Sequence, residues 1–149
     1  MASFGKLLLA IDLGPEAESL IRRVFQTCPD DLDRLHVIHV VRQGLHDIDL
    51  YPREASDARP TAHAQRLLDH TAVKVRDLMR RAGLIIPSDR IHLVYGEPSN
   101  EIKKLATELD ADAVIVGSHA KDGDWLQLPG ATTNCVIQGI SSDVIAVKV

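Results

Sequence analysis

Residues 6–12 read Lys-Leu-Leu-Leu-Ala-Ile-Asp, an apolar run that stops at a single acid. A strand with one face in water would alternate apolar and polar residues, whereas Leu7–Ile11 is apolar at every position. This pattern indicates a strand buried on both faces, as in parallel sheets covered by helices on each side. Leu13-Gly14-Pro15 interrupts the run, and apolar residues at helical spacing follow as far as Cys28. The segment therefore predicts a strand followed by a helix.

Further apolar segments repeat this strand–helix unit along the chain. The predicted strands after the first are Leu35–Val41, Ile91–Tyr95, Ala113–Val116 and Val144–Val149. Three more helices are expected: one that ends near Gly83, one that begins at Pro98, and one at about Ala131–Ile140. The pattern predicts a single domain over residues 1–149 with an α/β fold, a three-layer α/β/α arrangement around a five-stranded parallel sheet.

The expected ligand crevice lies beyond the carboxyl ends of the strands, where the strand order reverses. Asp12 ends the first strand, Val40 and Val41 end the second, and a loop over residues 117–131 follows the fourth. These positions are predicted to surround one crevice. The polar stretch Arg42–Pro60 is predicted to be a long irregular connection, either mobile or a lid.

Composition excludes several classes of function. The chain has 149 residues, 45% hydrophobic and 26% charged, with a net charge of −4 and its acids and bases intermixed. Nucleic-acid binding is not expected, because it needs clustered Lys and Arg. No apolar stretch approaches the length of a membrane span, and the N-terminus has no secretory pattern. Cys28 and Cys135 are far apart and are expected to be reduced, so the predicted location is the cytoplasm.

The seven histidines do not form a recognisable metal or catalytic motif. His36 and His39 are three apart on a predicted strand, so their side chains should point to opposite faces of the sheet. Ser118, His119 and Asp122 together suggest hydrolysis, but no second carboxylate or activated nucleophile is placed beside them. We therefore expect no metal site and no catalytic residues.

Several segments, in order and with compatible spacing, resemble the universal stress proteins. They are Leu9–Asp12, Val37–Val40, Gly96–Pro98, Asp112–His119 and Val144–Val147. The resemblance covers essentially the whole chain. It implies a Rossmann-like sheet of strand order 3-2-1-4-5 and a homodimer that pairs through the last strand, at Val144, Ile145, Ala146 and Val147. Independently, this terminal apolar strand would leave an open sheet edge unless something covers it.

The nucleotide-binding branch of that family carries a phosphate loop of the form Gly, two residues, Gly, nine residues, Gly, then Ser or Thr. Glycines let the backbone approach phosphates, and helix N-terminal amides donate to them. In this sequence Gly117 and Gly130 match the first and third glycines, whereas Ala120 replaces the second glycine and Ala131 replaces the hydroxyl residue. The spacing of the loop is kept, but part of its phosphate-binding chemistry is lost.

The residues within this loop also disfavour a triphosphate. Asp122 and Asp124 outnumber Lys121, and each acid near a polyphosphate could cost about 1 kcal/mol. Loss of the hydroxyl at Ala131 would cost about another 1 kcal/mol. With Trp125-Leu126, this loop resembles that of the branch typified by universal stress protein A, which is regarded as lacking the ATP site.

Other residues favour nucleotide binding. Thr132 and Thr133 supply hydroxyls in the first turn of the fourth predicted helix. Asp12 matches the acid at the adenosine end of the family's site, and Val40 matches its adenine-contacting position. Asp12 also has a purely structural interpretation, as a cap of the helix that follows.

The resemblance therefore leads to two expectations. The first is a non-enzymatic, cytosolic stress-response protein that acts as a homodimer, has a degenerate nucleotide site and needs no cofactor. The alternative is a regulatory protein that responds to ATP or AMP bound in the crevice. Neither expectation includes a nucleic-acid or membrane partner, and a protein partner is unidentified.

Overall fold

The computed structural model describes residues 5–42, 62–118 and 139–148, and within these ranges five strands form a single sheet. The strands are β1 (Leu7–Ala10), β2 (Leu35–Arg42), β3 (Ile91–Gly96), β4 (Ala113–Ser118) and β5 (Asp143–Lys148). Every neighbouring pair is parallel, and the order is β3-β2-β1-β4-β5. The predicted sheet and its strand order are confirmed.

Helices connect these strands and lie against the sheet. They are α1 (Ala17–Thr27), α2 (Ala62–Ala82) and α3 (Pro98–Leu109), with short 3₁₀ helices at Pro29–Arg34 and Ser88–Arg90. Of the helix predicted at about Ala131–Ile140, only Gly139 and Ile140 are described, and neither is helical. The predicted connection Arg42–Pro60 also lies outside the described residues, except for Arg42 at the end of β2. No helix within the described ranges has the combination of length and apolar character that crossing a bilayer requires.

The core lies on both faces of the sheet. On one face Leu7 and Leu9 pack with residues of α1 and α2, including Ile21 and Val75. On the other face Leu8, Ala10 and Ile38 pack with Ile102 and Ala106 of α3. Leu7, Leu8 and Leu9 have no exposed surface, and burying a leucine side chain stabilises a fold by about 1.5–3 kcal/mol. The continuous apolar pattern of β1 thus reflects a strand enclosed by two helical layers.

Glycine and proline lie at helix boundaries, where their backbone chemistry favours them. Gly83 follows α2 with a φ of 79°, a left-handed conformation that favours glycine. Pro98 is the first residue of α3, where its missing N–H has no role in the helix. Pro15 lies in the turn before α1, which begins at Ala17.

At the amino edge of the sheet, hydrogen bonds join the segments that lead into β1, β4 and β5. Asp112 is central: its Oδ2 accepts from the Lys6 backbone N–H at 2.9 Å, and its carbonyl accepts from the Asp143 N–H at 3.2 Å. The Ser142 hydroxyl donates to the Ala111 carbonyl at 2.7 Å. These bonds hold the starts of the three strands level, so their carboxyl ends also meet at one edge.

Candidate functional site

The carboxyl edge of the sheet brings together three of the predicted site residues. Because β1 pairs with both β2 and β4, continuing the two registers places Val40 level with Asp12, and Gly117 level with Ile11. The strand order reverses between β1 and β4, which is where a ligand crevice is expected. Ala120, Gly130, Ala131, Thr132 and Thr133 lie outside the described residues.

Gly117 of β4 lies close to Leu20 of α1. A Cβ atom there would lie 3.2 Å from Leu20 Cδ2 and 3.7 Å from Leu20 Cδ1. The first of these contacts is tighter than ordinary van der Waals packing, so any side chain at this position would push Leu20 away from the sheet. Gly117 therefore has a packing role that does not depend on any phosphate.

Asp12 shapes the turn that leaves β1. Its Oδ1 accepts a hydrogen bond from the Gly14 backbone N–H at 3.1 Å, two residues ahead, which is the geometry of an Asx turn. The N-cap residue of α1 is Glu16, which makes no side-chain capping bond. Asp12 thus stabilises the turn that leads from β1 to α1.

Val40 contributes its side chain to the core. It is 8% exposed and packs on the α3 face of the sheet, in the cluster that contains Ala10, Ile38 and Ile102. A ligand above β2 would therefore meet the backbone at the end of the strand more readily than this side chain.

His39 is a residue of this edge that sequence reasoning did not identify as part of the site. Its Nδ1 lies 2.9 Å from the Ile11 carbonyl oxygen, and since a carbonyl only accepts, Nδ1 must carry the proton. Burial lowers the pKa of His39, while its bond to Ile11 and the charge of Asp12 oppose that effect. The neutral ring then presents Nε2 as an acceptor. The only sequence signal was a polar residue within the apolar pattern of β2.

The four residues predicted at a dimer interface differ in exposure along β5. Val147 is buried with the α1 and α2 cluster, and Ile145 packs against that cluster. Val144 packs against the α3 cluster, and Ala146 is exposed. The Asp143 N–H points toward β4, since it donates to Asp112. By alternation, the backbone N–H and C=O of Val144 and Ala146 point away from the described sheet.

The described histidines confirm one expectation about their geometry. His36 contacts His92, whereas His39 contacts Ile11, and the two side chains lie on opposite faces of β2. Within residues 5–42, 62–118 and 139–148, no three His, Cys, Asp or Glu side chains come together as metal ligands.

Comparisons with known proteins agree on a family. The family model described as "Universal stress protein family" matches residues 3–148. Universal stress protein A homolog 1 of Coxiella burnetii is 27% identical over 141 residues, which cover 95% of this chain and 94% of that protein. The structure of UspA from Lactobacillus plantarum has a TM-score of 0.63 at 19% identity and covers 99% of both chains. The Archaeoglobus fulgidus universal stress protein in complex with dAMP has a TM-score of 0.57 at 19% identity and covers 95% of both chains.

Proposed function

The chain belongs to the universal stress protein family, and we propose that it is a non-enzymatic, cytosolic stress-response protein that acts as a homodimer and does not bind ATP tightly. In this proposal the family's crevice is retained as part of the fold, while its polyphosphate-binding chemistry is lost. The protein then acts through its surface and its partners and not through turnover of a nucleotide.

The packing of Gly117 against Leu20 is the observation that carries this proposal. The match of Gly117 to the phosphate-loop pattern would ordinarily favour nucleotide binding. Its close approach to α1 gives a separate reason for a glycine, because a Cβ would lie 3.2 Å from Leu20. Retention of this residue is therefore expected even in a protein that binds no nucleotide.

Asp12 supports the same conclusion. Its carboxylate holds the Gly14 N–H in the turn between β1 and α1, so the fold itself requires an acceptor at this position. Two other positions of the nucleotide-binding pattern, Ala120 and Ala131, depart from it. Asp12 and Gly117 thus have reasons within the fold to be kept, whereas Ala131 lacks a hydroxyl that would serve a phosphate.

A homodimer through β5 would satisfy the open edge of the sheet. The outward N–H and C=O groups of Val144 and Ala146 are a template for pairing with an identical strand. A two-fold interface of this kind brings the same surface of each subunit together and covers the β5 edge of both. The carboxyl-edge crevice would stay open in both subunits.

One observation favours a second candidate function, a nucleotide-responsive regulator. The Archaeoglobus fulgidus protein that shares this fold was solved in complex with dAMP, a monophosphate. A monophosphate would depend less on the close backbone approach that Ala120 hinders and on the hydroxyl donor that Ala131 lacks. AMP is therefore the nucleotide that this alternative favours.

Thermal unfolding with millimolar Mg-ATP, ADP or AMP separates the two functions. A ligand at a hundred times its dissociation constant adds about 2.7 kcal/mol of stability, which would raise Tm by roughly 5–10 °C for a chain of this size. We expect less than about 1 °C with each nucleotide. A rise with AMP alone supports the regulator, and a rise with ATP contradicts the proposal.

A restored loop provides the matched positive control. Ala120→Gly, Ala131→Ser, Asp122→Asn and Asp124→Asn together return the family's glycine and hydroxyl and remove two repelling charges. We expect this variant to bind Mg-ATP about a hundredfold or more tightly than the natural chain. Calorimetry that shows no gain would mean that these four positions do not determine nucleotide binding.

A further inference from the structure

His36 of β2 and His92 of β3 make a direct contact between their rings. His36 Nδ1 and His92 Nε2 are 3.0 Å apart, and both side chains are half-buried. The two residues are 56 positions apart in sequence, and the parallel register that pairs Ile38 with His92 brings them onto one face of the sheet. No function assigned above uses this pair.

The geometry of the pair is that of an imidazole–imidazole hydrogen bond. The ring centroids are 5.3 Å apart and the ring planes differ by 24°. The centroid separation exceeds the 3.0 Å between the facing nitrogens by roughly two ring radii, so both nitrogens lie close to the line that joins the centroids. Two nearly coplanar rings meeting end to end place an N–H of one ring on the lone pair of the other.

A metal ion does not fit between the rings as they stand. Zinc binds histidine nitrogens at about 2.0–2.1 Å, and an ion on the line between nitrogens 3.0 Å apart would be much closer than that to both. Within the described residues no third metal-ligating side chain joins the pair. The occupant that fits between these nitrogens is a proton.

Counting protons shows how the pair responds to acid. A neutral pair holds one N–H between the rings, and a singly protonated pair holds an N–H⁺ that donates to the remaining lone pair. A doubly protonated pair has no acceptor, so two N–H⁺ groups face each other and the bond is lost. The interaction therefore tolerates the first added proton and not the second.

Cations near His36 oppose the second proton at that ring. The pKa of His36 is lowered by burial and then by His92, Arg90 and Lys6, with Asp89 acting in the other direction. The pKa of His92 is lowered by burial, against which Asp89 and Glu108 act. Since the two rings share one bond, they titrate as a coupled pair. These groups come from Lys6, just before β1, from the 3₁₀ helix Ser88–Arg90 and from α3.

The pair connects β2 to an edge strand, β3, which within the described sheet pairs with β2 alone. β3 lies at the edge of the described sheet, and all six of its residues, Ile91–Gly96, are only half-buried. By contrast, Ala113–Gly117 of β4 are all buried. Loss of one cross-strand bond therefore matters more to β3 than to the central strands.

We propose that the His36–His92 hydrogen bond is an acid-sensitive latch, which holds edge strand β3 to β2 near neutral pH and releases it when both rings are protonated. Release of β3 exposes the edge of β2, while β1, β4 and β5 remain paired. Acidification is then a signal that the fold itself can detect.

Hydrogen exchange of the full chain between pH 7.5 and 5.5 tests this latch, with rates corrected for the pH dependence of chemical exchange. Peptides of β3 report the latch, and peptides of β4 serve as the internal reference. In the natural chain, the opening constant of β3 relative to β4 should rise roughly threefold between pH 6.5 and 5.5 if the closed pair keeps one proton, and more if it keeps none. An equal change in both strands would overturn the proposal.

The matched variant is His36→Asn with His92→Gln. The Asn amide stands in for a ring Nδ1 and the Gln amide for a ring Nε2, so the pair keeps a hydrogen bond that cannot titrate. In this variant the β3-to-β4 ratio should stay constant with pH, whereas His70→Gln, an exposed substitution on α2, should behave as the natural chain. A ratio that still rises in the double variant contradicts the latch.

Histidine ¹⁵N chemical shifts of the natural chain provide a test that needs no variant. The latch requires that His36 and His92 titrate in two separated macroscopic steps, with the second below the ordinary histidine range. A single shared titration step at an ordinary histidine pKa would contradict the latch.

Discussion

At Gly117, a Cβ would lie 3.2 Å from Leu20 Cδ2, so that Leu20 would have to shift by a few tenths of an ångström. We predict that Gly117→Ala lowers the free energy of unfolding by about 1–2 kcal/mol, because the added methyl overpacks the β4–α1 contact. Gly96→Ala is the matched control: its Cβ would meet the Glu101 side chain at 3.0 Å, and the flexible end of Glu101 can move aside. Urea denaturation of both variants measures the difference, and equal costs would contradict the packing role of Gly117.

His39 should make stability depend on pH in a definite direction. Its pKa is lowered in the folded state, so the unfolded chain takes up a proton more readily. The stability it contributes is complete above the unfolded value of about 6.5 and is lost as pH falls through the folded pKa.

The variant His39→Asn isolates this effect. Its amide can donate to Ile11 at any pH, so its unfolding free energy should fall less steeply below pH 6.5. The slope difference should approach about 1.4 kcal/mol per pH unit. Urea denaturation between pH 7.5 and 5 measures it, and parallel curves for the two proteins would show that His39 does not titrate as its burial requires.

Residue-level contacts were the least predictable part of the site. The ends of the apolar runs correctly placed Asp12, Val40 and Gly117 at the carboxyl edge, because parallel strands share that edge. The partners of Asp12, His39 and Gly117 depend on register and on the approach of α1, which no local pattern encodes. The contact between His36 and His92 was missed for the same reason.

Among the elements, α3 has an unfavourable residue at its C-terminal end. Asp110 follows this helix in a left-handed conformation with a φ of 52°, and its negative charge lies beside the negative end of the helix dipole. We predict that Asp110→Asn raises the free energy of unfolding by about 0.5–1 kcal/mol, since Asn tolerates this conformation without the charge. Asp110→Ala should be destabilising, and urea denaturation in which Asn is no better than Asp would refute the dipole argument.

Elements were predicted correctly where the hydrophobic pattern agrees with the residues that end helices and strands, such as glycine and proline. The strands were found within one or two residues, because a run of buried apolar residues ends where the strand leaves the core. The two 3₁₀ helices were not predicted, since Pro29–Arg34 is largely polar and Ser88–Arg90 is a single turn. Such short helices carry no apolar stripe from which to recognise them.

For the molecule as a whole, the proposed assembly depends on β5 being an edge strand of the described sheet. Ala146→Pro removes an outward N–H while leaving the inward ladder to β4 intact, because Ala146 is exposed and its backbone points away from β4. We predict that this variant is a folded monomer and that Ala146→Ser remains a dimer. Sedimentation equilibrium with circular dichroism measures both properties, and a dimeric Pro variant would exclude pairing through this edge.

The position of β1 at the centre of the sheet has a consequence for synthesis on the ribosome. Leu7 pairs with Leu35 on one side but with Ala113 on the other, about 100 residues later. At a translation rate of about 5–20 residues per second, the most apolar segment of the chain waits roughly 5–20 seconds for its second neighbour. During that interval one edge of this hydrophobic strand is unpaired in the nascent chain. The Leu7–Ile11 segment is therefore where a chaperone would be needed first.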